Sequence, residues 1–161
     1  ANIRAGMTTK EVDDLVYRFI KAEGAEPSCL GYCGYPASAC VSVNEVVVHG
    51  IPDDRVILTG DIVSVDLCAY KNGFHGDGAR TFCIGEVSAE KQKLVRYGRK
   101  GTGPRRPATA VICVEPMIAA GGGRVQVLDD GWTAVTLDKR PAAHYENTIV
   151  IRENGVEILT L

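Results

Sequence analysis

The sequence contains no C-x-x-C pair, no basic and apolar leader, no apolar run near the length of a membrane span, no repeat at a fixed period and no dividing linker. Each absence removes a class of protein. Without a C-x-x-C pair, the six cysteines Cys29, Cys33, Cys40, Cys68, Cys83 and Cys113, mostly set in apolar, strand-like sequence, read as reduced, buried thiols. Without a leader or a span, the chain is expected in the cytoplasm and not at a membrane. With neither repeat nor linker, its 161 residues are sized for one domain, 1–161. A net charge of −2 leaves no basic excess for general nucleic-acid binding. The one basic stretch, Tyr97 to Pro107 (YGRKGTGPRRP), lacks the spacing of a phosphate-binding G-x-x-x-x-G-K-S/T loop. No strand leads into it and Lys100 is misplaced, so it reads as a solvated loop rather than a phosphate or RNA site.

What is present centres on Asp61 to Phe82, DIVSVDLCAYKNGFHGDGARTF. Ile62 to Tyr70 alternates, with Val63, Val65, Leu67 and Ala69 on one face and Ser64, Asp66, Cys68 and Tyr70 on the other. Asn72-Gly73 tolerates the positive φ values of a two-residue type I′ turn. That turn pairs Lys71 with Phe74, Cys68 with Asp77 and Asp66 with Ala79. The two aspartates then share a face as diagonal neighbours, roughly 7–8 Å apart at the backbone. No Lys or Arg alternates onto that face, and Arg80 falls on the other by parity. Two facing carboxylates repel unless one is protonated, a cation is paired with them, or a metal binds. A divalent metal is the first reading; two solvated acids on an exposed sheet face are the second.

The flanking sequence supplies a frame. Thr8-Thr9-Lys10-Glu11 is a capping box. It opens a helix whose apolar stripe is Val12, Leu15, Val16, Phe19 and Ile20, with Gly24 as its stop. Ser28 to Cys40, SCLGYCGYPASAC, is a loop rich in Gly, Tyr and Cys, fit either to line a pocket or to pack tightly on its own account. Strands are expected over Cys40 to Val43 and Val46 to Val48, the second ending at His49. Read by itself, His49 is a structural histidine at a strand end rather than a chemical one. A polar helix begins within Glu86 to Lys93, with Ser88 as cap. Ala108 to Met117 has a buried-strand pattern with Glu115 its only charge. Val125 to Leu128, Thr133 to Leu137 and Tyr145 to Ile151 follow as strands, the last carrying Glu146 in an apolar setting.

Asp66, Asp77, Glu115 and Glu146 are thus acids embedded in apolar, strand-like sequence, where lone carboxylates are rarely buried. Carboxylate clusters suit hard or borderline divalent ions, and acids shared between two ions allow a two-metal centre that performs hydrolysis.

The sequence closely resembles type I methionine aminopeptidases, the pita-bread metallopeptidases, over nearly its whole length. The matching segments are AGMTTKEVD, CLGYCGYPASACVSVNEVVVHGIPDD, GDIVSVDLCAYKNGFHGDGARTF, YGRKGTGPR, VEPMI, DDGWTAVTLD, AHYENTIVI and GVEILTL. The resemblance implies an α+β fold with helices on one face of a curved, mostly antiparallel mixed sheet. It implies two divalent ions (Co, Mn, Fe or Zn) on Asp66, Asp77, Glu115 and Glu146, with Asp77 and Glu146 bridging. His49 matches the histidine that contacts substrate and assists proton transfer. Cys29, Tyr32, Tyr35, Cys40 and Trp132 match the pocket for the methionine side chain, where aromatic edges suit a thioether. The implied activity is removal of the initiator methionine from nascent chains when the next residue is small, near the ribosome.

The departures carry their own expectations. Between Val95 and Tyr97 the family has two helices and flanking strands, on the order of 50 residues or more, and this chain is a shortened form without them. Its G-H-G-I-G segment, whose histidine ligates metal, and its F-H-x-x-P segment, whose histidine contacts substrate, are absent. Neither His75 nor His144 occupies those motifs. The helix that precedes the family's matching segment is also expected to be missing before Ala1. One metal position is therefore expected to be all-oxygen, weaker and leaning to Mn or Mg, with reduced activity. A sheet face left uncovered implies self-association or a covering partner. The alternative function is a catalytically weak or inactive pita-bread binding module; an RNA-binding role through Arg99, Lys100, Arg105 and Arg106 has little aromatic support.

Overall fold

The structure, a computed structural model, describes residues 2–97 and 109–160. Helix α1 spans Thr9–Ala22 and α2 spans Ala89–Tyr97. The strands are β1 (Glu26–Pro27), β2 (Ala39–Val43), β3 (Val46–Val48), β4 (Ile62–Lys71), β5 (Phe74–Cys83), β6 (Val111–Val114), β7 (Met117–Ala119), β8 (Val125–Val127), β9 (Ala134–Thr136), β10 (Ala142–His144), β11 (Asn147–Arg152) and β12 (Gly155–Ile158). All described ladders are antiparallel, and the architecture is α+β. Beyond its first residue, which closes α2, the expected basic loop of Tyr97 to Pro107 lies outside the described residues, as does Ala108.

Helix α1 starts where the capping box requires. The Glu11 amide donates to Thr8 Oγ1 at 3.1 Å and the Thr8 amide to Glu11 Oε2 at 2.7 Å. Val12 packs with Val41, Val43, Val63 and Val65, with Leu15 and Val16 joining from the same stripe. Phe19 departs from the expected stripe: it is 67% exposed and belongs to none of the core clusters among the described residues. Ser88 Oγ accepts the Lys91 amide at 3.3 Å and caps α2, whose Leu94 packs on Ile62 and Ala143.

The hairpin of β4 and β5 has the register that its turn dictates. Asn72 (φ 53°) and Gly73 (φ 89°) both take the left-handed conformation of a type I′ loop. Cys68 lies across from Asp77 and Asp66 from Ala79. On the other edge of β4, β2 brings Cys40 opposite Asp66.

The expected strand Ala108 to Met117 is interrupted, dividing into β6 and β7 around Glu115-Pro116, and the strand expected over Tyr145 to Ile151 starts only at Asn147 as β11, with Tyr145-Glu146 forming a gap after β10. Pro116 has no N–H to give a ladder. The pairs Asn147–Val114 and His144–Met117 belong to one register, so Glu146 comes opposite Glu115 within the gap. The Tyr145 amide still reaches the Pro116 carbonyl at 3.3 Å.

The hairpin and this second ladder meet along β5. Ala79 and Glu146 exchange backbone hydrogen bonds, at 3.3 Å from the Ala79 amide and 3.0 Å from the Glu146 amide. Directly opposed residues in antiparallel strands share a face. One row therefore runs Cys40, Asp66, Ala79, Glu146, Glu115 across five chain segments, and its neighbour runs Cys68, Asp77, Thr148, Cys113.

The expectation of a buried strand over Ala108 to Met117 is overturned. Val111 is 59% and Met117 46% exposed, and Val125, Val127 and Val156 are exposed as well. Apolar patterning marked these residues for burial, but among the described residues they stay exposed, Val111 and Val156 on opposite sides of the sheet formed by β12, β11 and β6.

Gly50 fixes β2 against the residues after β3. A Cβ there would stand 2.6 Å from the Val41 carbonyl oxygen, whereas the Gly50 carbonyl accepts the Val41 amide at 2.9 Å. Gly50→Ala is expected to destabilise the fold by about 1–3 kcal/mol through overpacking. Urea unfolding checks this, and an unchanged midpoint would contradict the close approach.

Candidate metal centre and side-chain pocket

Asp66, Asp77, Glu115 and Glu146 converge with His49, Cys29, Tyr32, Tyr35, Cys40 and Trp132 on one cavity of about 260 Å³. These are the ten site residues expected from the sequence, drawn from β2, β4, β5 and five connecting segments. The acids line one side and the aromatic and thiol groups the other. Cys40 joins the two because its row places it beside Asp66.

The acid side is held by hydroxyls. Thr148 Oγ1 accepts the Asp77 amide and donates to the Asp77 carbonyl, both at 2.9 Å. Thr160 Oγ1 donates to the same carbonyl at 2.9 Å. Arg80, on the other face by parity, donates to the Glu146 carbonyl at 2.5 Å and to Asn147 Oδ1 at 2.7 Å, and lies 4.3 Å from the Tyr145 ring centroid. Arg80 thus holds the backbone under Glu146 and neutralises none of the four carboxylates.

Among the described residues no lysine or arginine is ion-paired with any of the four acids. Burial, reinforced by Glu146, Asp77 and Glu115, pushes Asp66 up to about 8. Burial and Asp77 push Glu146 up to about 7. Asp77 is raised too, chiefly by burial. Such a cluster resists ionisation without cationic charge, and a divalent ion supplies that charge. The donor set of convergent, partly buried carboxylates therefore fits divalent metal.

On the pocket side, the Tyr35 ring meets Trp132 edge-on at 5.1 Å between centroids. Its buried hydroxyl donates to the Gly50 carbonyl at 3.1 Å, leaving the ring as the lining surface. Asp130 Oδ1 accepts the amides of Trp132 and Thr133, both at 2.8 Å, which sets the indole in place. His49 takes a left-handed backbone (φ 57°), uncommon for a residue with a side chain, and its ring is 6.3 Å from Trp132. A strained, exposed histidine at the rim of an acid-lined cavity departs from the structural reading that its sequence context alone allowed.

The structure corrects two details. The six cysteines are free, as expected, but only Cys40 is buried; Cys33, Cys83 and Cys113 are exposed. Glu115 is not embedded: its side chain is 51% exposed at the strand break. Two residues enter that sequence reasoning left out. Cys113 groups with Asp77 and Glu146. His144, at 2% exposure, lies with its ring between Asp66 and Glu115. Burial, with His49 nearby, holds its imidazole down at about 4 and therefore neutral. The available signal was parity, since His144 stands two residues before Glu146 and so on its face.

Comparison with known proteins agrees with this geometry. Residues 1–102 match the family model described as metallopeptidase family M24. The chain belongs to that family. Among its relatives, the methionine aminopeptidase of Clostridium perfringens is 38% identical, covering 99% of this chain and 87% of the relative. Methionine aminopeptidase 1 of Bacillus subtilis is 36% identical, covering 99% and 88%. The crystal structure of methionine aminopeptidase from Thermotoga maritima superposes with a TM-score of 0.92 at 34% identity, covering 98% of this chain and 87% of that one. The pita-bread fold follows from that superposition. The C. perfringens alignment runs to 217 positions against the 161 residues of this M24 member, nearly all of which are aligned. The relative thus carries internal residues that have no counterpart here.

The raised carboxylates set the sign of a pH effect. An acid whose folded pKa lies above its unfolded value stabilises the fold below the unfolded pKa and loses that contribution as pH rises through the folded value. Metal-free protein should therefore lose thermal stability as pH rises from 3.8 toward about 8, and Asp66→Asn should flatten the slope. Calorimetry across that range tests it; a metal-free Tm that climbs through the window for reasons traceable to Asp66 would contradict the unpaired cluster.

Proposed function

We propose that this chain is a methionyl aminopeptidase, a metal-dependent hydrolase that removes the initiator methionine from nascent polypeptides when the next residue is small. The observation that carries this reading is the convergence of a four-carboxylate cluster and a thioether-sized aromatic pocket on one cavity. Asp66, Asp77, Glu115 and Glu146 would hold two divalent ions, Co, Mn, Fe or Zn, with Asp77 and Glu146 shared between them. When bound, the ions supply Lewis acidity and a hydrolytic nucleophile at neutral pH.

The protein's own groups do the rest. Tyr35, Trp132, Cys40 and Cys29 enclose the methionine side chain on the apolar side of the cavity, and Tyr32 borders its open edge. Seating that side chain directs the first peptide bond toward the acids, because Cys40 and Asp66 are neighbours in one row. His49 contacts the substrate backbone at the rim and passes a proton to the departing main-chain nitrogen. The chain acts in the cytoplasm close to the ribosome, with no nucleic-acid or membrane partner, as one domain over residues 1–161 with the family's internal segment missing near 95–97. The alternative of a pita-bread binding module is not favoured, since such a module has no use for four unneutralised acids. The exposed Val111 of β6 and Met117 of β7 support self-association through an uncovered sheet face.

Metal content and Met-Ala-Ser hydrolysis measured on one sample with Mn or Co provide the test. Bound metal with turnover is expected, and Glu146→Gln should lower turnover by at least about a hundredfold, the scale of losing a ligand rather than its support. No metal and no turnover at high protein concentration would refute the reading. Light scattering should show an oligomer with binding of a hydrophobic dye, whereas a monomer that binds no dye would contradict self-association.

A further inference from the structure

We propose that His144 supplies a nitrogen ligand to the second metal position, the one carried by Glu115 and Glu146. The inference rests on the dinuclear reading above and goes beyond the all-oxygen site expected from the sequence.

The His144 ring is almost fully buried, its side chain 1% exposed, and its Nε2 has no hydrogen-bond partner. Buried ring nitrogens are rarely left in that state, because losing water without a replacement costs about 1–3 kcal/mol. Nε2 stands 3.7 Å from Glu115 Oε2 and Nδ1 stands 4.0 Å from Asp66 Oδ2. Both separations exceed a hydrogen bond. They are close to the spacing of two donors on one ion: with metal–nitrogen and metal–oxygen bonds of about 2.0–2.2 Å, tetrahedral ligands lie about 3.4 Å apart. The donor atoms of Glu115, His144 and Glu146 all lie within 4.8 Å of one another.

The backbone holds the ring in place. The His144 carbonyl accepts Thr81 Oγ1 at 2.6 Å, and its amide donates to Thr81 Oγ1 at 3.0 Å. Ser64 Oγ, 2.7 Å from Thr81 Oγ1, completes the row beneath it. The two hydroxyls engage the His144 backbone, and the carboxylates of Asp66 and Glu115 stand beside the ring. None gives Nε2 a partner, and a cation seated between it and Glu115 does. His144 is not among the residues lining the acid cavity and instead borders a smaller neighbouring cavity with Thr81, Val95 and Tyr145.

The test uses the full chain, labelled with 15N at its three histidines and titrated with Zn(II). His49→Gln and His75→Gln leave the His144 signals identified by elimination. The expected result is two equivalents of zinc, with a His144 ring nitrogen shifting on the second. In calorimetric titration, His144→Gln should weaken the second equivalent at least tenfold and leave the first unchanged. Two equivalents bound with the His144 nitrogens unmoved, or an undiminished second equivalent in His144→Gln, would overturn this inference and leave the dinuclear reading standing. A chain that binds no zinc would overturn both. The nitrogen shift is read on protein with His144 intact, so a failure of His144→Gln to fold does not remove the test.

Discussion

The structure depends on a mutual repulsion. Four carboxylates share one face of an antiparallel sheet because register leaves them no alternative. Asp66 and Asp77 are diagonal partners across a two-residue turn, and Glu146 and Glu115 meet across two ladders broken at the same level. No lysine or arginine offsets them among the described residues. The backbone opposes the strain that results. Thr148 and Thr160 fasten Asp77, and Arg80 fastens the Glu146 carbonyl from the opposite face. The hydroxyls are important here because they satisfy backbone groups without adding charge, whereas a cation in their place would have quenched the cluster and its affinity for metal.

That economy extends to the pocket. Tyr35 directs its hydroxyl into the backbone of Ala39 and Gly50, so its polar end is satisfied away from the cavity and its ring faces Trp132. Close packing at Gly50 draws the residues after β3 onto β2, and the preceding His49 then takes a left-handed turn that carries its ring toward Trp132. The aromatic pocket and the acid cluster meet where Cys40 of β2 stands opposite Asp66 of β4, so one row of the sheet joins them.

Legibility followed locality. The hairpin could be read residue by residue, since an Asn-Gly turn fixes register and period-two alternation fixes the face; Cys68 opposite Asp77 is the predicted pair. The capping box of α1 was equally local. The meeting of Glu115 with Glu146 was not, because it depends on how β5 docks on the chain between β10 and β11, a contact between residues far apart in sequence. Their convergence was expected only through family resemblance. Burial was the least legible quantity. An apolar pattern reports the face that a strand was selected to hide, and on β6 and β7 nothing described here hides it.

His144 shows how the two kinds of information combine. Alone, a histidine in an apolar run says little, and although His144 lies within the matching segment AHYENTIVI, motif matching passes over it because it occupies neither of the absent histidine motifs. Once the register is known, its parity with Glu146 and its level with Ser64 and Thr81 leave one direction for the ring, toward Asp66 and Glu115. A buried imidazole in that position carries a cost for as long as its unpartnered nitrogen stays dry. Sheets tolerate such a cost where another gain offsets it, and beside a carboxylate cluster the ion proposed above would supply that gain. On that proposal the chain keeps a mixed oxygen and nitrogen donor set from within its own strands.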